Sequence, residues 1–249
     1  MKPFSTYTGG KEGNGTYQTI INTMPPHDIY IEPFLGNGAI FRKKLPAVIA
    51  NIGIDISAAV SQQWDIIAKK ESFFDQSYSI YNVDALQFLQ QFAIIDLVLN
   101  RIDLKTLIYV DPPYPVESRK SSLPLYDYEM SYQDHERLLT SLLNLKSMVI
   151  ISSYPNQLYS DVLKDWRTFT FQSATRRGMA TEQLWFNYPE SSQLHDYRFV
   201  GKDFRRREFI SRKKSSIIKS ISDCSAQEQQ SIMLSILDQF SSNLKAVKP

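Results

Sequence analysis

The chain has 249 residues, 43% apolar and 22% charged, with 28 Lys and Arg against 26 Asp and Glu, the composition of a globular protein with room for one α/β core and a small extension. No window approaches the ~18 uncharged apolar residues of a membrane span, and Met1 to Thr6 lead into Gly-rich polar sequence rather than an apolar targeting segment, so a cytoplasmic protein is expected. The only cysteine, Cys224, excludes an intrachain disulfide, and His27, His135 and His195 share no metal-ligand spacing with it or with each other, so no metal is expected.

Seven of the nine glycines lie in the first 53 residues, and Tyr7 to Lys11 and Phe34 to Gly38 bracket a predicted helix over 16–23. From there β-rich and helical runs alternate: strand 28–32, helix 39–44, strand 50–55, helix 57–70, strand 79–83, helix 85–92, strand 106–111. Such alternation predicts βαβ units and a mostly parallel sheet. A polar, tyrosine-rich stretch, 112–132, follows; a connection of that length in a compact domain is usually functional or disordered. Then come helix 134–145, strand 147–152, helix 156–163 and two β runs, 166–174 and 182–187. The short link 175–181 makes these two an antiparallel hairpin. Beyond Pro189 the composition turns to Ser, Gln and charge, and Ile232, Met233, Ile236 and Leu237 give 225–237 an apolar helical period. The expected organisation is a catalytic domain over 1–195 and a basic helical extension over 196–249.

Charge is unevenly spread. Between Arg198 and Lys219 nine basic residues face two acidic ones, a local +7 that leaves −5 for the rest of a chain whose net charge is +2. A basic stripe on a mildly acidic body suits a polyanion such as nucleic acid; a solvated helix face is the plainer alternative.

Tyr109-Val-Asp-Pro-Pro-Tyr114 closes a predicted strand, where open α/β sheets bind their ligands. Asp-Pro-Pro is also good turn chemistry, yet the residues suit a definite task. The exocyclic amino group of a nucleobase is a poor nucleophile, because its lone pair is conjugated with the ring, and both its hydrogens need acceptors. Asp111 can offer a carboxylate oxygen and Pro112 a backbone carbonyl, Pro112 and Pro113 hold these rigid, and Tyr114 offers a face for stacking an extruded base. A second motif, Tyr30-Ile-Glu-Pro-Phe-Leu-Gly-Asn-Gly38, runs a strand into a Gly-x-Gly turn. Asp55 ends the next strand, where a carboxylate can accept from ribose hydroxyls, and Asp84 ends the third. With no phosphate-binding Gly-x-x-x-x-Gly-Lys-Ser/Thr loop present, an adenosine-containing cofactor other than ATP is expected.

Taken together these motifs resemble the Dam-like DNA adenine-N6 methyltransferases, over most of residues 4–190 and in that family's order. The resemblance implies the class I methyltransferase fold, Rossmann-like, with S-adenosylmethionine as cofactor. It implies that Tyr7 and Lys11 contact the methionine side of the cofactor, that Phe34 and Gly36 form the turn over it, that Asp55 meets its ribose and Asp84 lies near its adenine, and that Asp111 joins cofactor and target amino group. Tyr128-Glu-Met, Asp134-His135, Ser152-Ser-Tyr154 and Thr181-Glu-Gln-Leu-Trp185 look like a phage and bacterial branch. One departure stands out: only residues 85–110 separate Asp84 from Asp111, too few for the sizeable recognition insertion of many Dam-like enzymes. Recognition is then expected from 115–132, the 175–181 turn and the basic tail, with Arg119, Lys120, Tyr126, Arg176, Arg177, Arg205, Arg206 and Arg207 as contacts to double-stranded DNA and a monomer sufficient. RNA adenine methylation and a catalytically silent binding module remain as alternatives. His135 is expected at the surface or against a loop, Trp64, Trp166 and Trp185 in the core or sheet.

Overall fold

A computed structural model describes residues 10–13, 15–70, 78–119, 123, 125–175 and 178–244. Helix α1 (Thr16–Ile21) leads into β1 (Ile29–Glu32), buried at all four positions. The chain continues through α2 (Ala39–Lys43), β2 (Ala50–Asp55), α3 (Ala58–Lys70), β3 (Tyr78–Asn82), α4 (Ala85–Arg101) and β4 (Thr106–Val110), then α5 (Tyr132–Leu143), β5 (Met148–Ser153) and α6 (Gln157–Val162). The hairpin β6 (Arg167–Thr175) and β7 (Gly178–Phe186) follows, and α7 (Phe204–Ser222) and α8 (Ala226–Leu244) come last.

The seven strands form one sheet in the order β3-β2-β1-β4-β5-β7-β6. β1 to β5 run parallel, with Ile31 opposite both Ile52 and Ile108, and β7 alone reverses between β5 and β6. β1 and β4 are continuously buried, as a sheet covered on both faces requires. One core joins Ile31, Ile108, Val110 and Ile151 to α4, α5 and α6 through Leu89, Leu138, Leu142 and Tyr159. The other joins Tyr30, Tyr109, Ile150 and Leu184 to α1, α2 and α3 through Ile20, Phe41 and Trp64. This is the class I methyltransferase arrangement: a mostly parallel sheet with helices on both faces and an antiparallel hairpin at one edge.

Three expectations need correction. The helix expected to stop at Phe92 runs on to Arg101, capped at its start by the Asp84 side chain accepting from Gln87 N at 2.8 Å; its second half carries exposed Ile94, Ile95 and Val98, which blur the amphipathic period. The 175–181 turn is mostly strand: β6 and β7 pair all the way to Thr175 opposite Gly178, whose φ of 107° suits a tight reversal. His135 belongs to the core, 1% exposed, with Nδ1 3.0 Å from the Tyr159 hydroxyl.

Residues 195–199 pack on the body. His195 N donates to Met24 O at 2.9 Å, and fully buried Asp196 accepts from Leu45 N at 3.2 Å and from the Arg198 guanidinium. No residue from 201 to 241 is buried, so α7 and α8 add surface rather than core. Among the described residues no helix is long and apolar enough to cross a membrane.

Candidate active site

β1 and β4 lie side by side, and the chain leaves them toward opposite edges of the sheet, which opens a crevice at their C-terminal ends. Four acidic side chains sit along that rim: Glu32 closes β1, Asp55 closes β2, Asp84 follows β3 and Asp111 follows β4. All four line one cavity of about 510 Å³, together with Lys11, Phe34 and Gly36.

The turn after β1 is built for close approach. Gly36 and Gly38 have φ of 48° and 57°, a region L-residues enter at a cost. A Cβ on Gly38 would lie 2.3 Å from Trp64 Cζ2, and the Trp64 indole cannot easily yield because Nε1 donates to Gly36 O at 2.9 Å. Gly36 N donates to Asp55 Oδ2 and Ser57 N to Asp55 Oδ1, both at 2.8 Å. Each carboxylate oxygen thus takes one backbone donor and keeps lone pairs for a ligand. Burial nevertheless pushes the Asp55 carboxyl above its ordinary value, against these two hydrogen bonds.

Around Asp111 the polar groups are buried and tightly bonded. Lys11 Nζ donates to Asp111 Oδ1 at 2.7 Å, and Ser152 Oγ, itself 3.1 Å from the Tyr109 hydroxyl, donates to the same oxygen at 2.8 Å. Among the described residues no hydrogen bond falls on Asp111 Oδ2. Burial raises the Asp111 carboxyl and Lys11 opposes the rise; for Lys11 burial works against the charge, but Asp111 and Glu182 outweigh it and hold the ammonium well above its usual value. Among the described residues Glu32 has no cation in contact and accepts only from the Tyr30 hydroxyl at 2.8 Å, and burial drives its carboxyl up to about 8. Burial thus favours its protonated form over the charged one.

Tyr114 is not the open platform its position in the motif suggests. It is 6% exposed, its hydroxyl donates to Glu182 Oε2 at 3.1 Å, Tyr154 meets it edge-on at 4.8 Å between centroids, and Lys11 Nζ lies 4.9 Å from its ring centre. The cavity wall is formed instead by Pro112, Pro113 and the stretch from Tyr126 to Met130.

Arg119 is also placed differently from expectation. Its side chain is 3% exposed and engaged with Glu129 and with the Tyr114 carbonyl, so it is no free cation. Arg205 and Arg206 are exposed on α7, whereas Arg207 is half-buried and donates to Gly201 O at 3.3 Å. Tyr7, Lys120, Arg176 and Arg177 lie outside the described residues. Among the described residues no group of His, Cys, Asp and Glu could hold a metal ion.

Sequence reading gave no role to Glu182, Ser152 or Glu129. Glu182 had a signal: a carboxylate flanked by Leu184 and Trp185 on a strand, at the parity that points inward with Leu184.

No protein-family profile and no curated protein matches the sequence. Among solved structures the chain is similar to a SAM-dependent methyltransferase from Agrobacterium tumefaciens (10% identity, 68% of this chain and 58% of that one, TM-score 0.44). It is also similar to a dimethyladenosine transferase from Plasmodium falciparum (13%, 69% and 60%, 0.44) and to magnesium protoporphyrin IX methyltransferase from Synechocystis, solved with bound SAM (12%, 68% and 74%, 0.42).

Proposed function

We propose that the chain transfers a methyl group from S-adenosylmethionine to the N6 amino group of adenine in double-stranded DNA. The observation that carries this reading is Asp111: a carboxylate at the crevice between β4 and β1, anchored through one oxygen by Lys11 and Ser152, followed by two prolines, on the wall of a 510 Å³ cavity.

The residues present fit the cofactor. Gly36 brings backbone to the cavity while Gly38 behind it packs against core Trp64 and fixes the turn, and the Asp55 carboxylate is held by two backbone donors with lone pairs left for a ribose diol. Phe34 and Asp84 line the same cavity and suit the adenine end, and Lys11 suits the carboxylate end. When bound, S-adenosylmethionine would supply an electrophilic methyl group, its sulfur–methyl bond breaking as the nitrogen–carbon bond forms and S-adenosylhomocysteine leaving as the neutral thioether.

This chain's own residues then have to present a nucleophile. Asp111 Oδ2 and the Pro112 carbonyl are the two acceptors for the amino hydrogens of an extruded adenine; accepting both turns the nitrogen lone pair out of conjugation with the ring. The two prolines fix the acceptors before the base arrives, so the rate comes from positioning and fixed dipoles rather than from a strong base. As the amino nitrogen forms its new bond it becomes acidic, and Asp111 takes its proton for release to solvent. The base must be extruded because inside a duplex the adenine amino group is stacked and paired, out of reach of acceptors on a strand terminus. The exposed cations of α7 supply the sequence-independent hold on phosphates.

The test offers labelled S-adenosylmethionine with duplex DNA, single-stranded DNA and an RNA transcript in parallel, and long-read sequencing of DNA from expressing cells. N6-methyladenine in duplex DNA at a fixed sequence context is expected. Label confined to RNA would move the acceptor, and no transfer to any nucleic acid would overturn the reading.

A further inference from the structure

The stretch from Tyr126 to Met130 lines the cavity that also holds Asp111, yet among the described residues its connection has no strand or long helix to hold it. Met130 packs against the core at one end, and an ion pair holds the rest. Arg119 sends Nη1 to Glu129 Oε1 at 2.8 Å and Nη2 to Glu129 Oε2 at 2.5 Å, the two-pronged pairing that only a guanidinium makes. Glu129 Oε1 also accepts from Leu125 N at 2.7 Å and Tyr126 N at 3.1 Å, so the carboxylate closes its own loop into a tight turn. The third guanidinium donor, Nε, reaches the Tyr114 carbonyl at 2.6 Å, and the guanidinium lies 5.1 Å from the Tyr126 ring centre.

One side chain therefore ties the last residue of Asp111-Pro112-Pro113-Tyr114 to the loop that presents Tyr126. Tyr114 itself is covered by Lys11 and Tyr154; of the other rings that line the cavity, Phe34 stands on the turn after β1 and Tyr128 is exposed, while Tyr126 is half-buried and is the one in contact with the Arg119 guanidinium. Resting on the reading of this site as one for an extruded adenine, we infer that the Arg119–Glu129 pair is a positioning clamp that fixes Tyr126 as the face on which the target base lies, and that Arg119 is a positioning residue rather than a phosphate contact. Arg119 holds the Glu129 carboxyl down to about 2, so the clamp keeps its charge throughout the neutral range.

Arg119→Lys discriminates the two roles, since lysine preserves a phosphate contact but cannot reproduce a three-way guanidinium grip. Glu129→Gln loosens the same clamp from the less buried partner and guards against a folding failure in the first variant. Amide hydrogen exchange at Leu125 and Tyr126, which needs no substrate, should accelerate at least about tenfold in both variants, with the rest of the chain unchanged; unchanged exchange overturns the clamp. With duplex carrying 2-aminopurine at the methylated position, both variants should lose the fluorescence gain of the extruded base. Their kcat should fall roughly ten- to a hundredfold, as a misplaced reacting group costs, with KM for S-adenosylmethionine nearly unchanged. In a third variant, Arg119→Gln, which removes the charge, the salt slope of duplex binding should stay that of wild type, whereas a lost phosphate contact lowers it by about one. Wild-type kinetics in Arg119→Lys, or a lowered salt slope, overturns the positioning role. Absence of methyl transfer by wild-type protein overturns the adenine reading instead, and leaves the exchange result to decide whether the clamp exists.

Discussion

The crevice around Asp111 and the helix α7 are both rich in charge, and they use it in opposite ways. At the crevice Lys11 is 5% exposed and lies between Asp111 and Glu182, 2.7 Å from the first and 3.9 Å from the second. Along α7 no residue is buried and Lys and Arg outnumber acids seven to one. Charges buried and paired at fixed distances give directional chemistry over a few ångströms, because little water screens them. Charges held out in solvent give a field that reaches about a Debye length and yields to salt. The division suggests that the two regions fail differently: crevice substitutions should act on rate and folding, α7 substitutions on affinity alone.

The largest effect is expected at Asp111. Asp111→Ala removes the acceptor and should lower methyl transfer on the order of 10²–10³-fold, while Asp111→Asn keeps the shape and still loses most activity because it offers a donor where an acceptor is needed. Duplex affinity should hardly change in either variant. Single-turnover methyl incorporation beside an anisotropy titration checks both; a loss of affinity as large as the loss of rate would break the contrast between the two regions.

Gly38→Ala tests the cofactor end. The added Cβ would have to displace Trp64, whose Nε1 is bonded to Gly36 O, and would force an L-residue to φ 57°, a conformation that alone costs about 1–2 kcal/mol. We expect S-adenosylmethionine affinity by calorimetry to fall about tenfold or more and Tm to drop, with duplex binding unaffected.

How much of this could be read from the sequence follows from chain distance. Asp55, Asp84 and Asp111 were legible because each sits at the boundary of a β run, and parallel strands bring all such boundaries to one edge; Glu32, at the end of β1, occupies the same edge without having been given a role. Tyr114 was misjudged because its environment comes from Lys11, Tyr154 and Glu182, the last 68 residues away, and no local pattern encodes such a meeting. Arg119 looked like a surface cation because its partner is ten residues on, beyond the helical or strand spacings at which side chains are known to face each other. On α7 the charge was legible but little of the fold, since a helix with no buried residue imposes no apolar period.

A smaller effect should come from Glu32, which tests whether the crevice is as dry as its bonding implies. Its carboxyl is raised from 4.5 to about 8 in the folded protein by burial, so the native state binds a proton that the unfolded chain has released across that window. The stability this proton gives is fully present below about 4.5 and is lost as pH rises through about 8, with a slope of up to about 1.4 kcal/mol per pH unit. Glu32→Gln should remove this component from the pH dependence of unfolding. Denaturant unfolding of both proteins from pH 5 to 9 checks it; parallel curves would mean that water reaches Glu32.

The least disruptive change should be on α7, where Arg205→Gln and Arg206→Gln remove two exposed guanidiniums with no described partner in the body. Each phosphate neutralised adds close to one unit to the slope of log affinity against log salt, so the pair should flatten the slope by about two for specific and random duplexes alike. Adding Arg207→Gln should change the slope less than either of the others, because Arg207 is half-buried and spends a donor on Gly201 O. Cofactor affinity and single-turnover rate at saturating duplex should equal wild type, since α7 contributes nothing to the lining of the crevice. Anisotropy titrations across a salt series test this directly. An unchanged slope would make α7 a solvated face with no part in binding, while a loss confined to one sequence would mean that these arginines read base edges.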